Sequence, residues 1–148
     1  MDLTKTYPRS VKDKVAGVVM TARTIDKAKA KANGNVGEYN YDCPMDKAVF
    51  GFLGIDSEKF LDTVKNAPND HAIDAYVQTF AAKKSAAEIE QFNSHFLEHA
   101  PDPGSDADKY FHELRDSVAP DRTDVTTWAD LLDLDEKRDV PKRTAVAH

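Results

Sequence analysis

Between Arg23 and Asp46 the chain gathers most of the side-chain types that do chemistry: Arg23, Asp26, Lys27, Glu38, Tyr39, Tyr41, Cys43 and Asp46. Asp26 and Glu38 offer general acid–base work, Arg23 and Lys27 a grip on an anionic group, and Cys43 a nucleophile. Tyr39, Tyr41 and Asp46 complete the set that would line a ligand pocket. The stretch runs from the end of one expected helix to the start of the next, so these groups can converge on one hollow. No spacing within it matches a named mechanism. The residue types mark a place for chemistry, not a reaction.

Each group also has a plainer reading. Asp26 follows Ala22 by four residues and Val19 by seven, which sets it at the edge of an apolar helical stripe where it is partly desolvated. Arg23, three residues earlier, is in reach, and the pair could hold an anion or move a proton; an ordinary intrahelical ion pair worth about 0.2–0.5 kcal/mol is the simpler account. Cys43 precedes Pro44 at the mouth of a helix, a position where cysteines gain nucleophilic character. Catalysis there would also need a base, and His71, His95, His99 or His112 would have to approach through space, whereas an isolated cysteine most often serves as a small buried hydrophobe. Glu38, Tyr39 and Tyr41 either line a pocket or staple a loop to the bundle. His95, Glu98 and His99 spell H-x-x-E-H, in which two histidines hold zinc and the glutamate activates water. The pattern is short, its histidines border the Phe92 and Phe96 stripe, and no third ligand is identifiable, so no metal or cofactor is expected. Phosphate-cradling glycine loops, a G-x-S-x-G elbow and C-x-x-C pairs are absent.

The elements that would position these groups read as helices. Val11, Val15, Val18, Ala22 and Ile25 are spaced four, three, four, three, which predicts an amphipathic helix over about 11–32 with Ser10 as its cap and Asn33-Gly34 as its end. Lys27, Lys29 and Lys31 then read as its solvated face. Pro44 and Asp46 suit the first turn of a short second helix running through Phe52. Gly54 ends it, Asp56 or Ser57 caps a third that Pro68 closes, and Asn69-Asp70 opens a fourth. Ser85 and Glu88 form a capping box for a fifth, Tyr110 to Val118 a sixth, and Trp128 to Leu132 a short last one. The expected fold is all-α: a single-domain bundle of six or seven helices over 1–136, with a loose charged tail over 137–148. Val36 to Tyr41 is the one rival, as a short extended arm.

The bulk numbers agree with an ordinary globule. A chain of 148 residues, 41% hydrophobic and 31% charged, can bury a core and fold alone. The net charge of −6 is built from interspersed signs, which argues against nucleic acid. The longest apolar runs fall far short of the ~20 residues of a membrane span. A start without an apolar leader segment, and one cysteine, agree with the cytoplasm.

Several pieces occur in a recognisable order: Asp2 near Pro8, Arg9 and Ser10; Ile25 to Ala28; Gly37, Glu38, Tyr39 and Tyr41; Cys43, Pro44 and Asp46; Phe52, Gly54 and Asp56; Thr127, Trp128, Leu131, Asp133 and Asp135. Together they resemble a small bacterial family catalogued only as a domain of unknown function, number five-zero-six-nine, over about residues 2–136. That resemblance implies no activity, cofactor or catalytic residue. It draws attention to Asp26-Lys27, Glu38-Tyr39 and Cys43 to Asp46 rather than to His95 and His99. Two functions follow as expectations. One is a cytoplasmic, non-catalytic binding or interaction module with a polar pocket beside the first helix, recognising a small polar ligand or a protein partner, or pairing as a homodimer. The other is a small-metabolite enzyme with Asp26 or Glu38 as acid or base and Arg23 or Lys27 binding an anion.

Overall fold

A computed structural model describes residues 1–143. Among them are two antiparallel strands of two residues each, β1 (Lys14–Val15) and β2 (Val18–Val19), with Lys14 opposite Val19 and Val15 opposite Val18. Seven helices follow: α1 (Thr21–Ala32), α2 (Pro44–Leu53), α3 (Ser57–Asn66), α4 (Asp70–Ala81), α5 (Ala86–Leu97), α6 (Asp106–Val118) and α7 (Trp128–Asp135). The fold is mostly helical, as the periodicity predicts. Its contacts gather into two compact units, Met1–Ser94 and His95–His148. No helix of the described residues is long and apolar enough to cross a membrane.

The first helix is shorter than its apolar spacing predicts, because residues 11–20 form a hairpin. Ala16 and Gly17 sit between the two strands at φ 55° and 78°, the paired left-handed conformation of a two-residue hairpin turn. Val11, Val15, Val18 and Val19 are buried all the same. A valine spacing of four and three is satisfied by either element, and the β-branched residues around Ala16-Gly17 favour the strand. Side chains close the hairpin. The Val15 amide donates to Thr21 Oγ1 at 2.9 Å, and that hydroxyl donates to the Val18 carbonyl at 2.6 Å. Asn93 of α5 accepts from the Val19 amide at 3.0 Å and donates to the Gly17 carbonyl at 2.8 Å. Ser10 caps no helix; its hydroxyl accepts from the Lys12 amide within a turn.

α1 thus starts at Thr21, after Met20 at φ 71°, and is buried on almost every side from Thr21 to Ala28. A helix so enclosed has to satisfy its polar side chains inside the protein. The remaining helices start where their caps predict. Asp56 accepts from the Lys59 amide, Asn69 from the Ala72 amide, and Ser85 and Glu88 exchange the two bonds of a capping box. Gly54 ends α2 at φ 78°. Between α1 and α2 the expected arm at 36–41 is not a strand but a pair of turns, with Gly37 at φ 60°. A side chain at Gly37 would stand 3.0 Å from the Leu3 carbonyl oxygen, so the N-terminal segment packs directly on this loop.

In the second unit Phe111 of α6 and Leu131 of α7 share a core with Val125 and Val140. Trp128 lies edge-on to Phe111, their ring centres 5.0 Å apart. Of the tail expected over 137–148, the described part is held: Val140 is 6% exposed, and its carbonyl accepts from Arg122 at 2.9 Å. Arg143 meets Asp130 at 3.0 Å. Residues 144–148 of that tail lie outside the described residues.

Candidate functional site

The polar face of α1 organises the 23–46 stretch. Arg23, Thr24, Asp26 and Lys27 are consecutive or nearly so and all at most 4% exposed. Four such residues cannot share one helix face, so they point into two neighbouring clusters.

The first cluster is built on Asp26. Its carboxylate accepts three bonds from Arg9: Nε at 3.1 Å, Nη2 at 3.1 Å and the backbone amide at 2.8 Å. A planar guanidinium gripping both oxygens is the strongest geometry available to a carboxylate. Arg23 donates to the Arg9 carbonyl at 3.2 Å, and its guanidinium lies 5.5 Å from the centre of the Tyr39 ring, within cation–π range. Arg9, Asp26, Arg23 and Tyr39 form one continuous group. The intrahelical pairing of Arg23 with Asp26 is therefore not what chiefly organises it; Arg9, which sequence reasoning missed, is at its centre. Nothing local marks Arg9, since its partner lies seventeen residues along the chain.

The second cluster is built on Asp46. Lys27 Nζ lies 2.7 Å from Oδ2, and the Thr24 hydroxyl donates to Oδ1 at 2.6 Å. The Lys27 side chain is 5% exposed and the Asp46 side chain fully buried, so Lys27 belongs to the interior and not to the solvated face its neighbours suggested. Lys29 instead reaches Asp70, and Lys31 is exposed. Lys27 Nζ is also 3.3 Å from Cys43 Sγ. Cys43 stands at the N-cap of α2, where its own amide donates to Asp46 Oδ2 at 3.2 Å. Thr24 is the second residue missed. It precedes Lys27 by three positions on the same helix, so the pair reaches one carboxylate together.

The other expected residues go elsewhere. Glu38 is exposed. The Tyr41 hydroxyl donates to the Ser57 carbonyl at 2.7 Å, and its ring packs edge-on to Phe50. Burial, with Asp46, Asp42 and Asp56 nearby, pushes this phenol well above its ordinary range. Tyr41 is thus a staple between the loop and α3. His95 lies in the last turn of α5, which ends at Leu97, and His99 falls in the turn beyond; both are exposed. Among the described residues no three His, Cys, Asp or Glu side chains come together as a metal site would require.

The chemistry of the two clusters is constrained by their own bonds. Among the described residues, no buried side-chain nitrogen or oxygen lacks a partner. Asp26 and Asp46 each hold a cation and a further donor, so either would have to release a partner before taking a proton from a substrate. What faces outward is the half-exposed Arg9 side chain, the partly buried Tyr39 ring and the edge of Cys43.

Comparison with known proteins gives a family. The profile described as "Domain of unknown function (DUF5069)" matches residues 5–138, nearly the whole chain. No curated protein matches it.

Proposed function

The chain belongs to the DUF5069 family, and from that premise we propose that it is a non-catalytic binding or interaction module whose recognition surface is the outer edge of the Arg9–Asp26–Arg23–Tyr39 group. One observation carries this reading. The two buried carboxylates are already engaged, Asp26 by Arg9 and Asp46 by Lys27 and Thr24, while Glu38 stands exposed and apart from them. Groups arranged this way hold a shape and present a fixed cation and an aromatic face. A small polar ligand or a protein partner with a carboxylate or phosphate would meet the open side of Arg9 and the Tyr39 ring. A cytoplasmic bacterial protein, able to pair as a homodimer, fits the same reading.

The test is a thermal-shift screen of wild type, Arg9→Lys and Tyr39→Leu against anionic metabolites and short acidic peptides, with light scattering for oligomeric state. The expected result is a ligand that raises the melting temperature of wild type, shifts the two variants less, and is recovered chemically unchanged. Recovery of an altered ligand, with turnover abolished by Asp26→Asn in a folded protein, would overturn the reading in favour of an enzyme. Uniform silence from a protein that stays monomeric would remove its basis altogether.

A further inference from the structure

Two nucleophilic side chains from different helices meet without being needed by the binding surface. Lys27 Nζ of α1 lies 3.3 Å from Cys43 Sγ at the N-cap of α2. That separation is within the roughly 3–3.5 Å from which bonds form between well-aligned groups. The amine cannot swing away into solvent, because its side chain is 5% exposed and Asp46 holds it from the other side at 2.7 Å. Cys43, by contrast, is only partly buried. The chain has a single cysteine, so an oxidised Cys43 has no thiol within the chain to resolve it. The nearest nucleophile is the lysine.

We propose that a hydroperoxide converts Cys43 and Lys27 into a sulfenamide cross-link, making the pair a reversible oxidative modification site that ties α1 to the start of α2. In the first step the sulfur attacks one peroxide oxygen and the O–O bond breaks. Sulfur is oxidised to sulfenic acid, the peroxide is reduced, and the thiol proton leaves with the departing oxygen as water or, from an alkyl hydroperoxide, as the alcohol. In the second step Lys27 passes one proton to Asp46 Oδ2, already its hydrogen-bond partner, and the freed lone pair attacks sulfur. The S–N bond forms, the S–O bond breaks, and the leaving hydroxyl takes a second nitrogen proton as water. This step is redox-neutral; the remaining proton stays on Asp46 until solvent removes it. An added thiol reverses the link by attacking sulfur and releasing the amine.

Two features of the site favour this outcome over further oxidation: the amine is positioned before the oxidant arrives, and the acceptor for its proton is in place. The cross-link would discharge the Lys27–Asp46 ion pair and leave Thr24 as a bonding partner of Asp46. Binding at the Arg9 and Tyr39 edge is not assumed, so this inference stands apart from the proposed function.

The experiment is mass spectrometry of the full chain after a small excess of hydrogen peroxide, with and without a thiol reductant, followed by tryptic mapping. The expected product is lighter by two hydrogen atoms, resists cleavage after Lys27, joins the Lys27 and Cys43 peptides, and returns to the starting mass with reductant. Cys43→Ser should give none of it. Lys27→Met, if it folds, should instead carry Cys43 to the sulfinic acid. The inference is overturned if wild type gains oxygen at Cys43 while trypsin still cuts after Lys27, or if Cys43 survives peroxide unchanged. The wild-type map alone decides between these results, whatever the stability of the variants.

Discussion

The ion pairs around α1 and those of Arg122 and Arg143 in the second unit sit in different settings. Around α1 the pairs are enclosed: Lys27 and Asp46 are 5% and 0% exposed, and Asp26 is 3% exposed beneath Arg9. In the second unit the Arg122 and Arg143 pairs at the C-terminal segment lie nearer to water, although Asp133 and Glu136 beside Arg138 are about as buried as Asp26. Arg122 pairs with Asp124 at 2.9 Å, while Arg143 reaches Asp130 at 3.0 Å and Glu98 at 3.3 Å with 42% of its side chain exposed. Enclosure decides what such a pair does. A buried pair recovers its desolvation cost only through good geometry, and losing one partner strands a charge; an exposed pair is screened and gives little. The α1 clusters therefore specify how the helix is seated, and the second set trims a fold whose cohesion comes from Phe111, Val125, Leu131 and Val140.

The sharpest way to break this comparison is to remove one half of the most enclosed pair. Asp46→Ala leaves the Lys27 ammonium buried without its carboxylate and takes an acceptor from Thr24. The expected loss is about 3–5 kcal/mol, a large share of the stability of a domain. Urea unfolding followed by circular dichroism measures it. Lys27→Met alone should cost less than Asp46→Ala, because the hydroxyl and backbone donors to Asp46 remain. The double variant Lys27→Met, Asp46→Ala should fall well short of the summed losses, since the two residues act as one unit. Additive losses would show that the pair is not coupled and that enclosure was overvalued.

A middle case sharpens the contrast. Arg9→Ala removes a half-exposed residue from a buried partner, since Arg9 is 44% exposed and Asp26 3%. Asp26 keeps the backbone amide at position 9, so the expected cost is about 1–3 kcal/mol. The same unfolding measurement should place it between the Asp46 variant and any change in the second unit. A loss equal to that of Asp46→Ala would mean that burial of one partner alone sets the cost.

How much of this was legible in the sequence follows from the range of the interactions. Caps were legible because they are local: Pro44 opens α2, Asp56 caps α3, and Ser85 and Glu88 box the start of α5. The family resemblance was legible because it rests on ordered motifs. The hairpin was not, because Val11, Val15 and Val18 bury equally well on a helix or on two short strands. The local cue was weak, because Gly17 suits a left-handed hairpin turn but Ala16 beside it does not. The 23–46 stretch supplies residues to two clusters, Arg23 and Asp26 to one and Lys27, Cys43 and Asp46 to the other. Their wiring was not legible, because Arg9 to Asp26 and Lys27 to Asp46 are tertiary pairings separated by many residues. Val140 was hidden for the same reason: one apolar residue in a charged stretch has no period, and only the core it completes reveals it.

The smallest expected effect belongs to the partly exposed Arg122–Asp124 pair, and pH separates it from the enclosed pairs. The Arg122 side chain, helped by the Arg143 amide, holds the Asp124 carboxyl far below the ordinary carboxylate range. A carboxyl whose folded-state pKa is depressed adds stability that is complete above its unfolded value of about 3.9 and is lost as pH falls toward the folded value. Asp124→Asn should therefore melt lower than wild type at pH 7, and that gap should begin to shrink only as the pH falls below about 4, with most of it persisting at pH 3 because the folded value lies far lower. Raising the salt at pH 7 should narrow that gap, because partly exposed pairs are screened. The Asp46→Ala deficit should be nearly indifferent to salt, because its charges are out of reach of the counterions. Melting curves on a grid of pH and salt test both halves at once. Should the Asp124 gap persist undiminished in high salt, the second unit's charges would have to be counted with those of α1, and the contrast between the two regions would fail.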